Sequence, residues 1–419
     1  MKPFEALVCR AAFVTTLALV AGGCAAEASE AEDTLRVGGL KLAISDHPAE
    51  NDGAKGEDRH RHPRPERPLT FATLFKSPLV IEGLTGDGQG QLYTAARGGD
   101  PCPVWRIDLD GAPTAVVGNI PAPCSANGLA FDAVGQLYVA STDKIYRLEP
   151  SDTSPPTAAV FASGLAGANG LTFDADGNLW VSDGTSAQGR VWKIAPDGSV
   201  TVALRVQALA STVNVALGVG GIGRDARALP PGRLNITETN RSAADTAGSQ
   251  PVVANGLAFT SQGDLLVADT ARGAIWRARF DGEGNVTSSL GCDAAFPPDT
   301  LCLDELLVAH PLLEGVDGIV LDANDNVWAT AHERNAIVRV TPSGKVREVF
   351  RNPMDPTSLL RNTGPLEFPT TPFLADGKLC ITHSDQGRRD NFPSSGGEVG
   401  PGHPELGKIS CSSERVVRR

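Results

Sequence analysis

Five oxygen-bearing side chains recur in one setting along the chain: Glu82, Asn127, Asn169, Asn255 and Asp317. Each is followed by glycine, mostly leading into an apolar run, as in Asn127-Gly-Leu-Ala-Phe-Asp, Asn169-Gly-Leu-Thr-Phe-Asp and Asp317-Gly-Ile-Val-Leu-Asp. Two carboxylates and several amide oxygens, with no sulfur, make a donor set for a hard cation, most naturally Ca²⁺ or another divalent ion completed by water. Such chemistry requires five segments spread over the chain to meet at one point.

The repeat itself supplies the means. After each glycine motif comes a tight turn and a second apolar run: Gln91-Leu-Tyr-Thr-Ala, Gln136-Leu-Tyr-Val-Ala, Asn178-Leu-Trp-Val-Ser, Asp264-Leu-Leu-Val-Ala and Asn326-Val-Trp-Ala-Thr. Third runs such as Lys144-Ile-Tyr-Arg-Leu and Ala336-Ile-Val-Arg-Val follow, and Pro-Asp-Gly or Asp-Gly turns separate the strands. A recurring unit of short strands is the signature of a β-propeller, whose inner strands line a central channel. The fold class is therefore all-β. Starts at 82, 127 and 169 lie 45 and 42 residues apart, the length of a four-stranded blade. A sixth unit begins at Phe368-Pro-Thr-Thr-Pro-Phe and ends at Gly407-Lys-Ile-Ser-Cys, and Leu69-Thr-Phe-Ala-Thr-Leu is expected to close the ring as its outer strand. Six blades are expected. Seven is the alternative, if a degenerate blade occupies the unusually long stretch at about 203–250.

In that architecture the residue opening each inner strand points at the channel mouth. Asn-Gly is also a favoured turn pair and could repeat for geometry alone, a reading that suits Asn127. Two carboxylates facing a narrow channel without a counterion are harder to explain that way. Glu82, Asn255 and Asp317 are thus the candidate metal ligands.

The remaining chain divides readily. Residues 1–23 carry Lys2 and Arg10, a short apolar stretch from Ala11 to Val20, and Ala21-Gly22-Gly23 before Cys24. This is too short for a membrane span and has the form of a lipoprotein signal, with Cys24 as the lipidated residue. Residues 24–68, ending in Arg59-His-Arg-His-Pro-Arg-Pro-Glu-Arg-Pro, read as a disordered tether. Residues 69–419 form the propeller domain, with insertions at about 203–250 and 386–405. The expected location is the bacterial cell envelope, on the outer membrane or facing the periplasm, with the Cys24 lipid as the only membrane attachment. The protein is expected to be a monomer.

A net charge of −12 argues against nucleic acid as a partner. Six cysteines follow Cys24, and an even number in an exported chain suggests disulfides. Fifteen pairings are possible; the neighbour pairing Cys102–Cys124, Cys292–Cys302 and Cys380–Cys411 is the simplest. The sequence holds no G-x-S-x-G elbow, H-E-x-x-H or P-loop, so serine hydrolase, zincin and NTPase readings lack support.

The series Glu82-Gly, Asn127-Gly-Leu-Ala-Phe, Asn169-Gly-Leu-Thr-Phe and Asp317-Gly-Ile-Val-Leu-Asp resembles the regucalcin–gluconolactonase family of six-bladed propellers over most of residues 79–385. The resemblance implies a divalent ion held by Glu82, Asn255 and Asp317, with Asn169 contacting substrate and Asn127 as a further substrate-side candidate. It implies hydrolysis of a small-molecule lactone, the metal polarising the carbonyl and Asp317 helping to activate water. Ala168 stands where such proteins often carry an arginine. Two other functions compete: a non-catalytic NHL-like propeller holding a ligand or protein, and a lyase resembling the seven-bladed streptogramin-inactivating propellers.

His332 and His383 fall at or just after the ends of second strands, where sister blades have Asp183 and Asp269. Either could serve as general base from the same face as the ring. A histidine bonded to backbone is the plainer reading for both. The five tryptophans, Trp105, Trp180, Trp192, Trp276 and Trp328, occupy second and third strands and are expected to be core between blades.

Overall fold

A computed structural model describes residues 69–417, apart from 111–113, 185–188, 207–251, 288–299, 302–304, 358–359, 392–393 and 395. The expected signal, the tether, Cys24 and most of the 203–250 stretch lie outside the described residues.

Six sheets form the ring, antiparallel except where Thr300–Leu301 adds a parallel edge to the third. Their inner strands are Thr85–Gly86, Ala126–Phe131, Ala168–Phe173, Leu257–Phe259, Val316–Leu321 and Pro369–Ala375, each pairing with the second strand of its own blade. The sixth blade is closed by Phe71–Ser77, the first strand of the domain, lying antiparallel to Gly407–Ser412, the last. Joining the first and last strands of the propeller in one sheet removes the open edge it would otherwise leave. The third and fourth inner strands pack directly: a Cβ on Gly170 would sit 2.4 Å from the Asn255 carbonyl oxygen. No blade separates them, so the seven-bladed alternative falls.

The sequence explains why each hairpin forms. At the end of the inner strand, Asp87, Asp132, Asp174 and Asp322 each accept backbone N–H bonds from the residues two and four positions later. These short carboxylates take over donors that the turn leaves unpaired. The indoles of Trp180 and Trp328 donate to Asp174 and Asp322 respectively, fastening the second strand to the same turn. Between blades, edge-to-face pairs Tyr93–Phe131, Tyr138–Phe173 and Trp180–Phe259 carry the apolar contact from one sheet to the next. All five tryptophans are buried, as expected of inter-blade core.

The fourth blade departs from the simple pattern. Its third strand, Ala274–Phe280, pairs with Val286–Thr287 at one end and with Leu306–Ala309 at the other. The chain thus makes an excursion inside this blade that the repeat spacing did not reveal. Cys292 and Cys302 lie within it and outside the described residues. Cys102–Cys124 and Cys380–Cys411 are disulfides, the first within the first blade and its exit loop, the second tying adjacent strands of the sixth blade.

Candidate functional site at the axial mouth

Three ring residues, Asn127, Asn169 and Asp317, sit on a β-bulge. In the second blade Ala126 pairs with Ser141 and Leu129 with Val139, so Asn127 and Gly128 share the place of one residue. The third, fifth and sixth blades show the same slip, at Ala168/Leu171, Val316/Ile319 and Pro369/Pro372. A bulge re-aims a side chain out of the alternation of the strand, and such features gather beside functional sites. The glycine after each ring residue is therefore not a turn glycine, contrary to the turn-pair reading. It is needed because the next blade's ring residue lies against it: a Cβ on Gly128 would fall 2.1 Å from the Asn169 carbonyl oxygen, and one on Gly256 2.6 Å from that of Asp317. The repeated glycine is the mark of inner strands packed shoulder to shoulder around an axis. Thr370 in the sixth blade completes the circle by donating its hydroxyl to the Glu82 carbonyl, 2.8 Å.

Along this axis runs a cavity of about 430 Å³, lined by all six inner strands. Asn169, Asn255 and Asp317 line it at the end where the inner strands begin. Glu82 and Asn127 are buried beside it. Asn255 is oriented by a relay: its amide donates to the Thr270 hydroxyl at 3.0 Å, which donates to the Val316 carbonyl at 2.6 Å. Asn127 donates to the Ala168 carbonyl at 2.9 Å, and its side-chain oxygen is buried with no hydrogen-bond partner among the described residues. Asn169 is half-buried and lies against Gly184, where a Cβ would come 2.2 Å from its amide nitrogen.

The electrostatics single out Asp317. Burial pushes its carboxyl well above the ordinary aspartate range, and the Glu82 carboxylate pushes further in the same direction. The Arg97 guanidinium and a hydrogen bond with Asn255 oppose the shift. Two carboxylates thus face one desolvated point.

Arg97 escaped the sequence reading. Its guanidinium pairs with the Glu82 carboxylate through Nη1, so the charge at Glu82 does have a counterion. The signal was available: aligning the second apolar runs from Gln91, Gln136, Asn178, Asp264, Asn326 and Lys378 places Arg97 level with Thr142, Gly184, Thr270, His332 and Ser384, each six positions further on. Cross-strand pairing of Ile81 with Ala96 sets Arg97 beside Glu82, just as Thr270 is set beside Asn255.

The two histidines are placed differently from the ring. His332 is fully buried, stacks on Phe368 at 4.2 Å, and is held down to a pKa of about 3 by burial and by the charge of Arg388. His383 is also fully buried; its Nδ1 accepts the Glu367 N–H at 3.1 Å, and burial together with Lys408 keeps its pKa well below normal. Neither lines the axial cavity. Asp183 and Asp269 fix their own blades, Asp183 pairing with Arg190 at 2.9 Å and Asp269 with Arg272 at 2.8 Å and the Trp276 indole at 2.9 Å.

The ring suits a divalent cation by its donor chemistry: two carboxylates, amide oxygens, and a buried Asp317 whose negative charge is under-compensated. Among the described residues, no three His, Cys, Asp or Glu side chains gather as a ready-made cluster, so amides would have to complete the shell.

Residues 219–363 match the family described as the SMP-30/Gluconolactonase/LRE-like region. That span contains Asn255 and Asp317 but neither Glu82 nor Asn169. The match agrees with the resemblance drawn from the repeated glycine motifs, over about a third of the chain, and the fold is the expected six-bladed propeller. No curated protein matches the sequence. Among solved structures, a luciferin-regenerating enzyme is similar at 12% identity and a TM-score of 0.52, covering 84% of this chain and 97% of that one. Regucalcin from Agrobacterium tumefaciens strain C58, described as a calcium-binding protein, is similar at 16% identity and a TM-score of 0.48, covering 84% and 95%. Virginiamycin B lyase from Staphylococcus aureus is similar at 15% identity and a TM-score of 0.44, covering 82% and 98%. At these identities the likeness concerns the fold alone.

Proposed function

We propose that the protein is a metal-dependent hydrolase of the lactonase type, acting on a small cyclic ester at the axial mouth. The observation that carries this reading is the pairing of a buried, under-compensated Asp317 with Glu82 at the end of a cavity also lined by Asn169 and Asn255. Glu82, Asn255 and Asp317 would hold the ion, most naturally Ca²⁺, which when bound would polarise the ester carbonyl. Asn255, fixed by Thr270, presents its amide in one orientation. Asn169, braced against Gly184, is placed to hydrogen-bond the substrate, and Asn127, with a side-chain oxygen still free to accept, is a second such group. Asp317 is the candidate proton acceptor for the attacking water, because burial makes its carboxylate more basic than an exposed one. The proposal extends to a lipid anchor at Cys24, a cell-envelope location and a monomeric state.

A binding propeller is the second reading, and the Arg97–Glu82 pair favours it, since a site that supplies its own cation needs no ion to stabilise it. A seventh blade would have strengthened the lyase reading, and with six blades it gains no such support.

Elemental analysis of the purified protein beside Glu82→Gln/Asp317→Asn separates the two. One calcium per chain, absent from the double variant, supports the hydrolase and justifies a screen of lactones. No metal in either protein after calcium soaking sinks it.

A further inference from the structure

We propose that Arg97 is a resident cation of the axial ring, competing with a divalent ion for the Glu82 carboxylate. The inference rests on the metal reading above and concerns how that site is tuned.

In the third and fourth blades the position just past the second strand addresses the ring residue of its own blade: Gly184 makes room for Asn169, and Thr270 takes the Asn255 amide. Among the six residues at this position, Arg97, Thr142, Gly184, Thr270, His332 and Ser384, only Arg97 carries a permanent charge, because His332 is held neutral. That charge falls in the blade whose ring residue is a glutamate. The backbone holds it there, with the Arg97 N–H on the Val80 carbonyl at 2.8 Å, and Nε reaches the Ser125 hydroxyl at 3.4 Å.

The consequence is a different charge balance. Glu82 and Asp317 alone would present two negative charges to an ion; with Arg97 the group presents one. A guanidinium does not deprotonate, so this compensation persists at any ordinary pH. A divalent ion entering the ring must draw Glu82 away from Arg97 or share it, at the cost of like-charge repulsion. The guanidinium can yield: its side chain is 28% exposed against 11% for Glu82, and a long flexible stem lets the head swing into water. Arg97 therefore weakens resting affinity for the ion and holds the metal-free ring together.

Calorimetric titration of the metal-free, full-length protein with calcium chloride tests this, alongside Arg97→Gln and Arg97→Lys. Arg97→Gln is expected to bind calcium at least about tenfold more tightly, from relief of that repulsion, and to melt at a lower temperature when metal-free. Arg97→Lys should stay near the wild type. Ser125→Ala, which removes only the second anchor of the guanidinium, should shift affinity in the same direction by less, and serves if Arg97→Gln does not fold. Calcium affinity unchanged or weaker in Arg97→Gln or, failing that variant, in Ser125→Ala, with the wild type binding, overturns the role of Arg97 and leaves the metal site standing. Absence of binding in every protein overturns the metal site and this inference with it.

Discussion

The axial ring and the sixth blade each bury acidic side chains, and they treat them in opposite ways. In the sixth blade the Glu367 carboxylate receives the Lys408 ammonium and the backbone N–H groups of Glu398 and Val399, at 2.9 and 3.1 Å. Lys408 is itself fully buried and also lies 3.5 Å from Glu398. Every charge there is answered from within the fold, and the result pins the excursion between the second and third strands of the blade onto the sheet. At the ring, Asp317 has a hydrogen bond with Asn255 and the charge of Arg97 in its favour, but burial and the Glu82 carboxylate outweigh both. A buried charge that the protein satisfies is architecture. One that it leaves short is a place for something else to bind.

The contrast is sharpest in what removing a charge should do. Lys408→Met leaves the Glu367 carboxylate buried without its cation. Loss of one partner of a buried pair typically costs about 3–5 kcal/mol, and urea unfolding should show a loss of that size. Calcium affinity of the fraction that still folds should be unchanged, since Lys408 takes no part in the ring. A small effect on stability would place the two clusters in one class and remove the distinction.

Asp317→Asn should act in the reverse sense. The native carboxyl titrates above its unfolded value, so its contribution to stability is present at low pH and is lost as pH rises through the raised pKa. The metal-free wild type should therefore weaken as pH climbs from about 4 toward neutrality through this group. Asp317→Asn should lack that slope and be as stable as the wild type at pH 7, or more stable by about 1 kcal/mol, as expected when a strained charge is exchanged for an isosteric amide. Chemical denaturation at several pH values, with chelator present, reads both. A destabilised variant would mean that Asp317 is a satisfied structural carboxylate like Glu367.

How far the sequence led follows the same division. The hairpins were legible because their signals are local: the aspartate that caps the turn in four blades, the Gly-containing turn and the apolar run lie within a dozen residues of one another. The closing strand was legible because the sixth blade lacked one and an apolar run near the start of the domain had no other partner. The glycines after Glu82, Asn127, Asn169, Asn255 and Asp317 were seen, but the reason for them was not. What they accommodate is the neighbouring blade's carbonyl, a contact between residues some 40 or more positions apart, so no local rule reports it. Arg97 was missed for a related reason. It lies just past a strand in a Gly-rich stretch, and only stacking the six repeats shows it level with Thr270. His332 and His383 were noticed by type, yet their burial beneath Phe368 and beside Lys408 depends on loops that no repeat encodes.

Thr270 offers the smallest and most discriminating test of the ring. Its hydroxyl accepts from Asn255 and donates to the Val316 carbonyl, joining the fourth blade to the fifth. Thr270→Val keeps the shape and deletes both bonds. Stability should fall by about 1–2 kcal/mol, the usual worth of buried neutral hydrogen bonds lost with partial compensation. If Asn255 serves only to connect blades, nothing else should change. If it is a ligand oriented by Thr270, freeing its amide to rotate should weaken calcium binding several-fold, as loss of an orienting partner outside the coordination shell commonly does. Calorimetry on folded protein separates these outcomes, because affinity and stability need not move together. A structural pair such as Glu367 and Lys408 has no ligand to lose, whereas a site built to be completed should register the loss of its orienting hydroxyl first in what it binds.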